Sequence, residues 1–133
     1  MICVLDASAI IDLLLARQPY CAEIEPLIRN ADVLAAPHLL DVEVAQVFRR
    51  FMLRGELEHQ RAEQAIADLL DLPVRRFPHE PLLTRAFELA NNLTMYDAIY
   101  VVLAEALDAT LLTRDNAMND VPGTNIKVRV VGK

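Results

Sequence analysis

The stretch Ile2-Cys3-Val4-Leu5-Asp6-Ala7-Ser8-Ala9-Ile10-Ile11-Asp12-Leu13-Leu14 holds the first decision about the fold. Residues 2–5 are a short apolar run, long enough for a buried strand and too short for a helix. The run ends in a carboxylate, Asp6. Beyond it Ile10, Leu13 and Leu14 fall at the i, i+3, i+4 spacing of one helical face, so residues 7–16 read as a helix.

The same alternation continues along the chain. Pro19 can open a second helix that carries Ile24, Leu27 and Ile28 to about Asn30. Residues 32–35 read as the second strand, punctuated by Pro37. A long helix then runs to about Leu53 on an apolar face of Leu40, Val44, Val47, Phe48 and Phe51, with Gly55 where a C-cap glycine belongs. Residues 57–70 form another amphipathic helix that ends at Pro73, and residues 74–77 read as an edge-like strand. Pro81 opens a helix to about Asn91, and Thr94 starts one that carries Ile99, Val102, Leu103 and Ala106. Residues 110–112 and 127–131 complete the strands. Five short strands alternating with roughly seven helices predict one α/β domain with a mostly parallel sheet, helix-rich and without repeats or linkers.

At 133 residues the chain fits a single domain. A domain of this size buries roughly two thirds of its unfolded surface and needs neither disulfides nor a structural metal to fold. Cys3 and Cys21 match no disulfide framework or zinc spacing and read as small buried hydrophobes. No apolar run has the length of a membrane span, and the N-terminus reads as a strand rather than a signal peptide, so the expectation is a cytoplasmic protein. A net charge of −6 argues against a nucleic-acid binder held by bulk basic charge. The bases are unevenly placed, however: two are Lys and the other eleven Arg, and Arg49, Arg50, Arg54, Arg61, Arg75 and Arg76 fall in the middle third. Arg suits planar phosphate contact, although each of these also reads as part of a solvated helix face.

Parallel sheets carry their sites beyond the carboxyl ends of the strands. Asp6 ends the first strand and Asp115 follows the strand at residues 110–112, both at places where a carboxylate needs a partner. Nothing basic follows Asp6 closely, and Arg114 points elsewhere on an extended backbone. Asp97 stands at capping-box spacing from Thr94, which leaves capping and a site role both open. Glu43 borders the apolar face of the long helix, and Asp41 competes with it; periodicity does not separate them. His38, His59 and His79 are scattered without metal-ligand spacing. Several acids converging without cations would repel one another, whereas Mg²⁺ or Mn²⁺ would remove that repulsion and lower the pKa of a water at a phosphodiester.

In order and spacing, Val4-Leu5-Asp6-Ala7-Ser8, Pro37 to Glu43, Met95-Tyr96-Asp97-Ala98-Ile99-Tyr100 and Leu111-Leu112-Thr113-Arg114-Asp115 resemble the four acidic motifs of PIN-domain ribonucleases, in particular VapC-like toxins of bacterial toxin–antitoxin systems. The resemblance spans essentially the whole chain. It implies a three-layer α/β/α sandwich with a parallel sheet, and Mg²⁺ or Mn²⁺ held by Asp6, Glu43, Asp97 and Asp115. It implies supporting hydroxyls at Ser8 and Thr113, and a weaker contact from Asn116, with Asn119 and Asp120 nearby. It favours Glu43 over Asp41 and a metal role for Asp97 over capping alone. It also implies hydrolysis of RNA by a metal-activated water, a homodimer, and a cognate antitoxin. Arg49, Arg50 and Arg54 are candidates to contact RNA or that antitoxin.

Rival readings fare poorly. Nothing resembles a helix-turn-helix or ribbon DNA reader. A phosphoacceptor receiver needs a Lys after a late strand, but the lysines are Lys127 and Lys133. A haloacid-dehalogenase-type phosphatase needs a second Asp where Ser8 stands.

Overall fold

The apolar run at the N-terminus forms β1 (Ile2–Leu5), the middle strand of a five-stranded sheet, in a computed structural model that describes residues 1–132. The chain continues through α1 (Ala7–Leu14), α2 (Tyr20–Arg29), β2 (Val33–Pro37), α3 (Leu39–Leu53) and α4 (His59–Asp71). It then passes through β3 (Val74–Phe77), a 3₁₀ turn (Glu80–Leu82), α5 (Leu83–Phe87) and α6 (Met95–Leu107). The last elements are β4 (Thr110–Thr113), a second 3₁₀ turn (Asn116–Met118) and β5 (Lys127–Val130).

The strand order is β3-β2-β1-β4-β5 and every pairing is parallel, so the expected mostly parallel sheet is parallel throughout. The chain lays β1, β2 and β3 outward in one direction, then crosses back to build β4 and β5 on the other side of β1. Right-handed crossovers place helices from outward and returning connections on opposite faces. Accordingly α1 packs on α2, α3 and α4, whereas α6 packs on α5 and against β1, β2 and β4. The result is the three-layer α/β/α arrangement. Its direction of winding reverses between β1 and β4, where a doubly wound sheet opens a crevice at its carboxyl end.

Helix α6 explains much of the core. Ala98 to Ala104 are buried without interruption, the pattern of a helix covered all round. Each Ile, Val or Leu so buried contributes roughly 1.5–3 kcal/mol. Such burial fixes where the helix's first turn, and Asp97 with it, must lie relative to the sheet. At the end of α3, Gly55 adopts φ +73°, the left-handed conformation that terminates a helix without strain in glycine.

Two boundaries differ from the sequence expectation. Pro37 lies inside β2, paired with Phe77, because the β1–β2 pairing has ended by then and no neighbour there needs a proline N–H. The helix expected from Pro81 to about Asn91 is α-helical only over Leu83–Phe87. Beyond it Glu88, Leu89, Ala90 and Asn92 donate to carbonyls three residues back, a tightened 3₁₀-like path. Cys3 and Cys21 are free and buried, as expected. No helix of the described residues is long and apolar enough to cross a membrane.

Candidate active site

Asp6 follows β1 directly and is only 5% exposed. Ser8 Oγ and Thr113 Oγ1 both donate to its Oδ2, at 2.8 and 2.7 Å. Each hydroxyl also accepts a backbone N–H: Ser8 Oγ from Arg114 at 3.0 Å, Thr113 Oγ1 from Asp115 at 2.9 Å. Two hydroxyls thus tie the end of β1 to the end of β4 and aim the segment bearing Asp115. The sequence fits this role because a short hydroxyl two residues after an Asp at a helix start reaches back to it.

Asp115 is exposed, and its Oδ1 accepts the Ala117 N–H at 2.9 Å, capping the second 3₁₀ turn. Asp97 sits in the first turn of α6. Its backbone N–H donates to Thr94 Oγ1 at 3.2 Å, so Thr94 caps the helix, and a Thr94 hydrogen bond also acts to lower the Asp97 carboxyl. Glu43 lies one turn into α3 with its carboxyl beside the buried Tyr100 hydroxyl, close enough for Tyr100 to lower it, though among the described residues neither Glu43 Oε1 nor that hydroxyl makes a well-formed hydrogen bond.

Three of the four acids are shifted by burial and by neighbouring carboxylates. Burial first, then the charges of Asp6 and Asp115, push Asp97 up to about 6 from 3.8. Burial raises Glu43, helped by the charges of Asp6 and Asp97 against a lowering contribution from Tyr100. Burial also raises Asp6, and Asp115 adds to this, although Thr113, Ser8 and the Ala7 amide pull the other way. Tyr100 is raised too, by burial and then by the Glu43 charge. None of the four acids forms an ion pair among the described residues. Charge thus couples carboxylates from four distant segments, and none of them has an ion-pair partner among the described residues.

All donors offered there are hard oxygens, the chemistry that Mg²⁺ and Mn²⁺ prefer, and Glu43 Oε1 is a buried oxygen without a well-formed hydrogen bond among the described residues. Among the described residues no three acidic, Cys or His side chains stand together as a ready-made ligand set. Mg²⁺ is usually held by one or two carboxylates with waters and substrate phosphate rather than by an all-protein cage, so the donor set fits it.

The other candidates are placed as follows. Ser8 and Thr113 are in the crevice. Asn116 is exposed at the start of the second 3₁₀ turn and its side chain makes no hydrogen bond among the described residues, while Asn119 and Asp120 are exposed beyond it. Arg49 and Arg50 are exposed on α3 and Arg54 at its C-cap; of these only Arg50 lines a groove that also contains Glu43. Asp41 is separated from the acids: Arg76 on β3 clasps it with Nε and Nη2 at 2.7 and 2.9 Å. Two neighbours were not singled out by sequence. Tyr100 follows Asp97 by one helical turn and so shares its face. Asp12, one turn after Ser8, is fully buried and pairs with Arg114, 3.2 Å away. That pairing takes the Arg114 side chain away from Asp115, as the extended backbone led us to expect.

A parallel doubly wound sheet with acids at its switch point defines the class, and comparison with known families agrees. A profile described as PIN domain matches residues 3–124, and the chain belongs to that family. It is 38% identical to Ribonuclease VapC1 of Mycobacterium tuberculosis over 97% of both chains. Two solved structures share the fold. VapBC2 from Rickettsia felis, bound to a DNA fragment from its promoter, superposes with a TM-score of 0.70 at 16% identity over 98% of this chain and 99% of that one. A toxin–antitoxin complex from Klebsiella pneumoniae gives 0.66 at 20% identity over 96% of each.

Proposed function

We propose that this chain is a metal-dependent endoribonuclease, the cytoplasmic toxin of a toxin–antitoxin pair. The observation that supports this reading is the mutual charge coupling of Asp6, Glu43, Asp97 and Asp115, none of which has an ion-pair partner among the described residues. Family membership and the relative named a ribonuclease support RNA as the substrate.

In this reading Asp6, Glu43, Asp97 and Asp115 hold Mg²⁺ or Mn²⁺. When bound, the cation polarises the phosphodiester and lowers the pKa of a water. Asp6 is oriented by Ser8 and Thr113, whose hydroxyls both donate to its Oδ2. The raised Asp97 carboxyl holds a proton more readily than an ordinary aspartate in the absence of a cation and releases it when a cation arrives. Tyr100 keeps its proton and closes the crevice floor beside Glu43. A homodimer and a cognate antitoxin complete the proposal, both from the family resemblance.

The test is cleavage of total RNA by the purified chain with Mg²⁺, with Mn²⁺ and with EDTA. Discrete fragments that require the metal are expected. Asp6→Asn is expected to reduce the rate by more than the roughly 10- to 100-fold typical of losing an outer partner of a metal ligand. Metal-independent cleavage, or an Asp6→Asn protein as active as the native chain, would sink the reading.

A further inference from the structure

Asp6 and Asp12 are the only buried acids among the described residues, and the chemistry of the site uses just the first. Asp12 lies four residues after Ser8 on α1, so the two share one face of that helix. Both hold the same residue. Ser8 Oγ accepts the Arg114 backbone N–H at 3.0 Å, and Asp12 meets the Arg114 guanidinium, with Nη1 3.2 Å from Oδ2 and 3.4 Å from Oδ1. The guanidinium also lies over the ring of Tyr20, at the start of α2, 3.6 Å from its centroid. Tyr20 is fixed in turn by the chain beyond β5. Gly132 donates its N–H to Glu23 Oε2 at 3.0 Å, and a Cβ at Gly132 would stand 2.8 Å from Tyr20 Cε1.

The next residue, Asp115, has few anchors of its own. It is exposed, it opens a three-residue 3₁₀ turn, and its backbone N–H donates to Thr113 Oγ1. Stability alone is a poor reason to retain the Asp12–Arg114 pair. Burying two charges costs about as much as their attraction returns, and Asp12 Oδ2 makes no well-formed hydrogen bond among the described residues. As a spacer the pair is effective, because one face of α1 reaches Asp6 through Ser8 and the Asp115 segment through Arg114. We propose that Asp12, Arg114 and Tyr20 form a positioning clamp that fixes the Asp115 carboxylate relative to Asp6 before a cation arrives. The proposal rests on the cation-site reading and adds three positioning residues to it, all acting through Asp115. A ligand held in place beforehand spares the cation the cost of ordering it.

The test is a double-mutant cycle on Mn²⁺ affinity, read by electron paramagnetic resonance of the free ion with no RNA present. Asp12→Leu combined with Arg114→Met replaces the clamp by apolar side chains and leaves neither charge without its partner. Its melting temperature in EDTA is expected to stay near that of the native chain, while Mn²⁺ affinity falls about tenfold. Placed on top of Asp115→Asn, the same pair is expected to cost no further affinity, because the clamp acts through that carboxylate. Tyr20→Leu is expected to give a smaller loss of the same kind, and Tyr20→Phe, which keeps the ring face, none. Native Mn²⁺ affinity in the paired variant overturns the clamp and leaves the cation site standing. So does a loss of equal size with and without the Asp115 carboxylate, or an Asp115→Asn protein that binds Mn²⁺ as the native chain does. If the paired variant fails to fold, Tyr20→Leu decides, and native affinity there overturns the clamp. A native chain that binds no Mn²⁺ overturns the cation-site reading and the clamp together.

Discussion

Two groups of acids in this chain are treated in opposite ways by their surroundings. Away from the crevice Asp12, Asp41 and Glu105 are each given an arginine. Asp41 is clasped by Arg76, Glu105 by Arg85 at 2.9 and 3.0 Å, and Asp12 by Arg114 with Arg17 at 3.6 Å. The Arg85 hydrogen bonds hold Glu105 below its ordinary range. Within the crevice Asp6, Glu43 and Asp97 have only hydroxyls, amides and one another, and all three are raised. One fold thus pairs these structural acids with arginines and leaves its strand-end acids without one. Asp12 shows that the distinction is not burial alone. It too is raised, by burial, yet Arg114 and Arg17 pull against that shift, whereas no cation does so for Asp6.

The difference can be broken from either side. The largest effect is expected at Thr113→Val, which keeps shape but removes the hydroxyl that donates to Asp6 and accepts from the Asp115 backbone. Metal affinity and cleavage should fall about 10- to 100-fold with little change in melting temperature. Equal loss of fold and activity would make Thr113 a core residue only. Next in size is Arg76→Ala, which leaves Asp41 half-buried without its partner. Denaturant unfolding should show a loss on the order of 1–3 kcal/mol, with RNA cleavage at native rate per folded molecule. A selective loss of cleavage would instead place Asp41 with the site acids.

Much of this was legible in the sequence because it is local. A four-residue apolar run ending in Asp6 names both a strand and its carboxyl end, and that end is where an open parallel sheet carries chemistry. What was not legible depends on distant partners. Asp41 and Glu43 lie two residues apart, and their separation rests on Arg76, brought in by the β2–β3 pairing. Pro37 reads as a breaker until it is known that β1 stops short of it. Asp12 reads as a polar residue on an apolar helix face until Arg114 arrives from β4.

The smallest expected effect tests the central claim most directly. Asp97 has a folded-state value of about 6 against the ordinary 3.8. Folding therefore favours its protonated form, so this contribution is present below about pH 4 and is lost as pH rises through 6. At neutral pH without metal the ionised group is a burden; partial exposure and solvent screening keep it to on the order of 1 kcal/mol. The measurement is thermal unfolding of the native chain and Asp97→Asn at neutral pH, in EDTA and then in saturating Mn²⁺. We predict a crossing: in EDTA the variant melts higher by about 3–5 °C, and in Mn²⁺ the native chain gains more and overtakes it. A variant that melts lower in EDTA, or gains as much as the native chain from Mn²⁺, would contradict the account of these acids as a cation site.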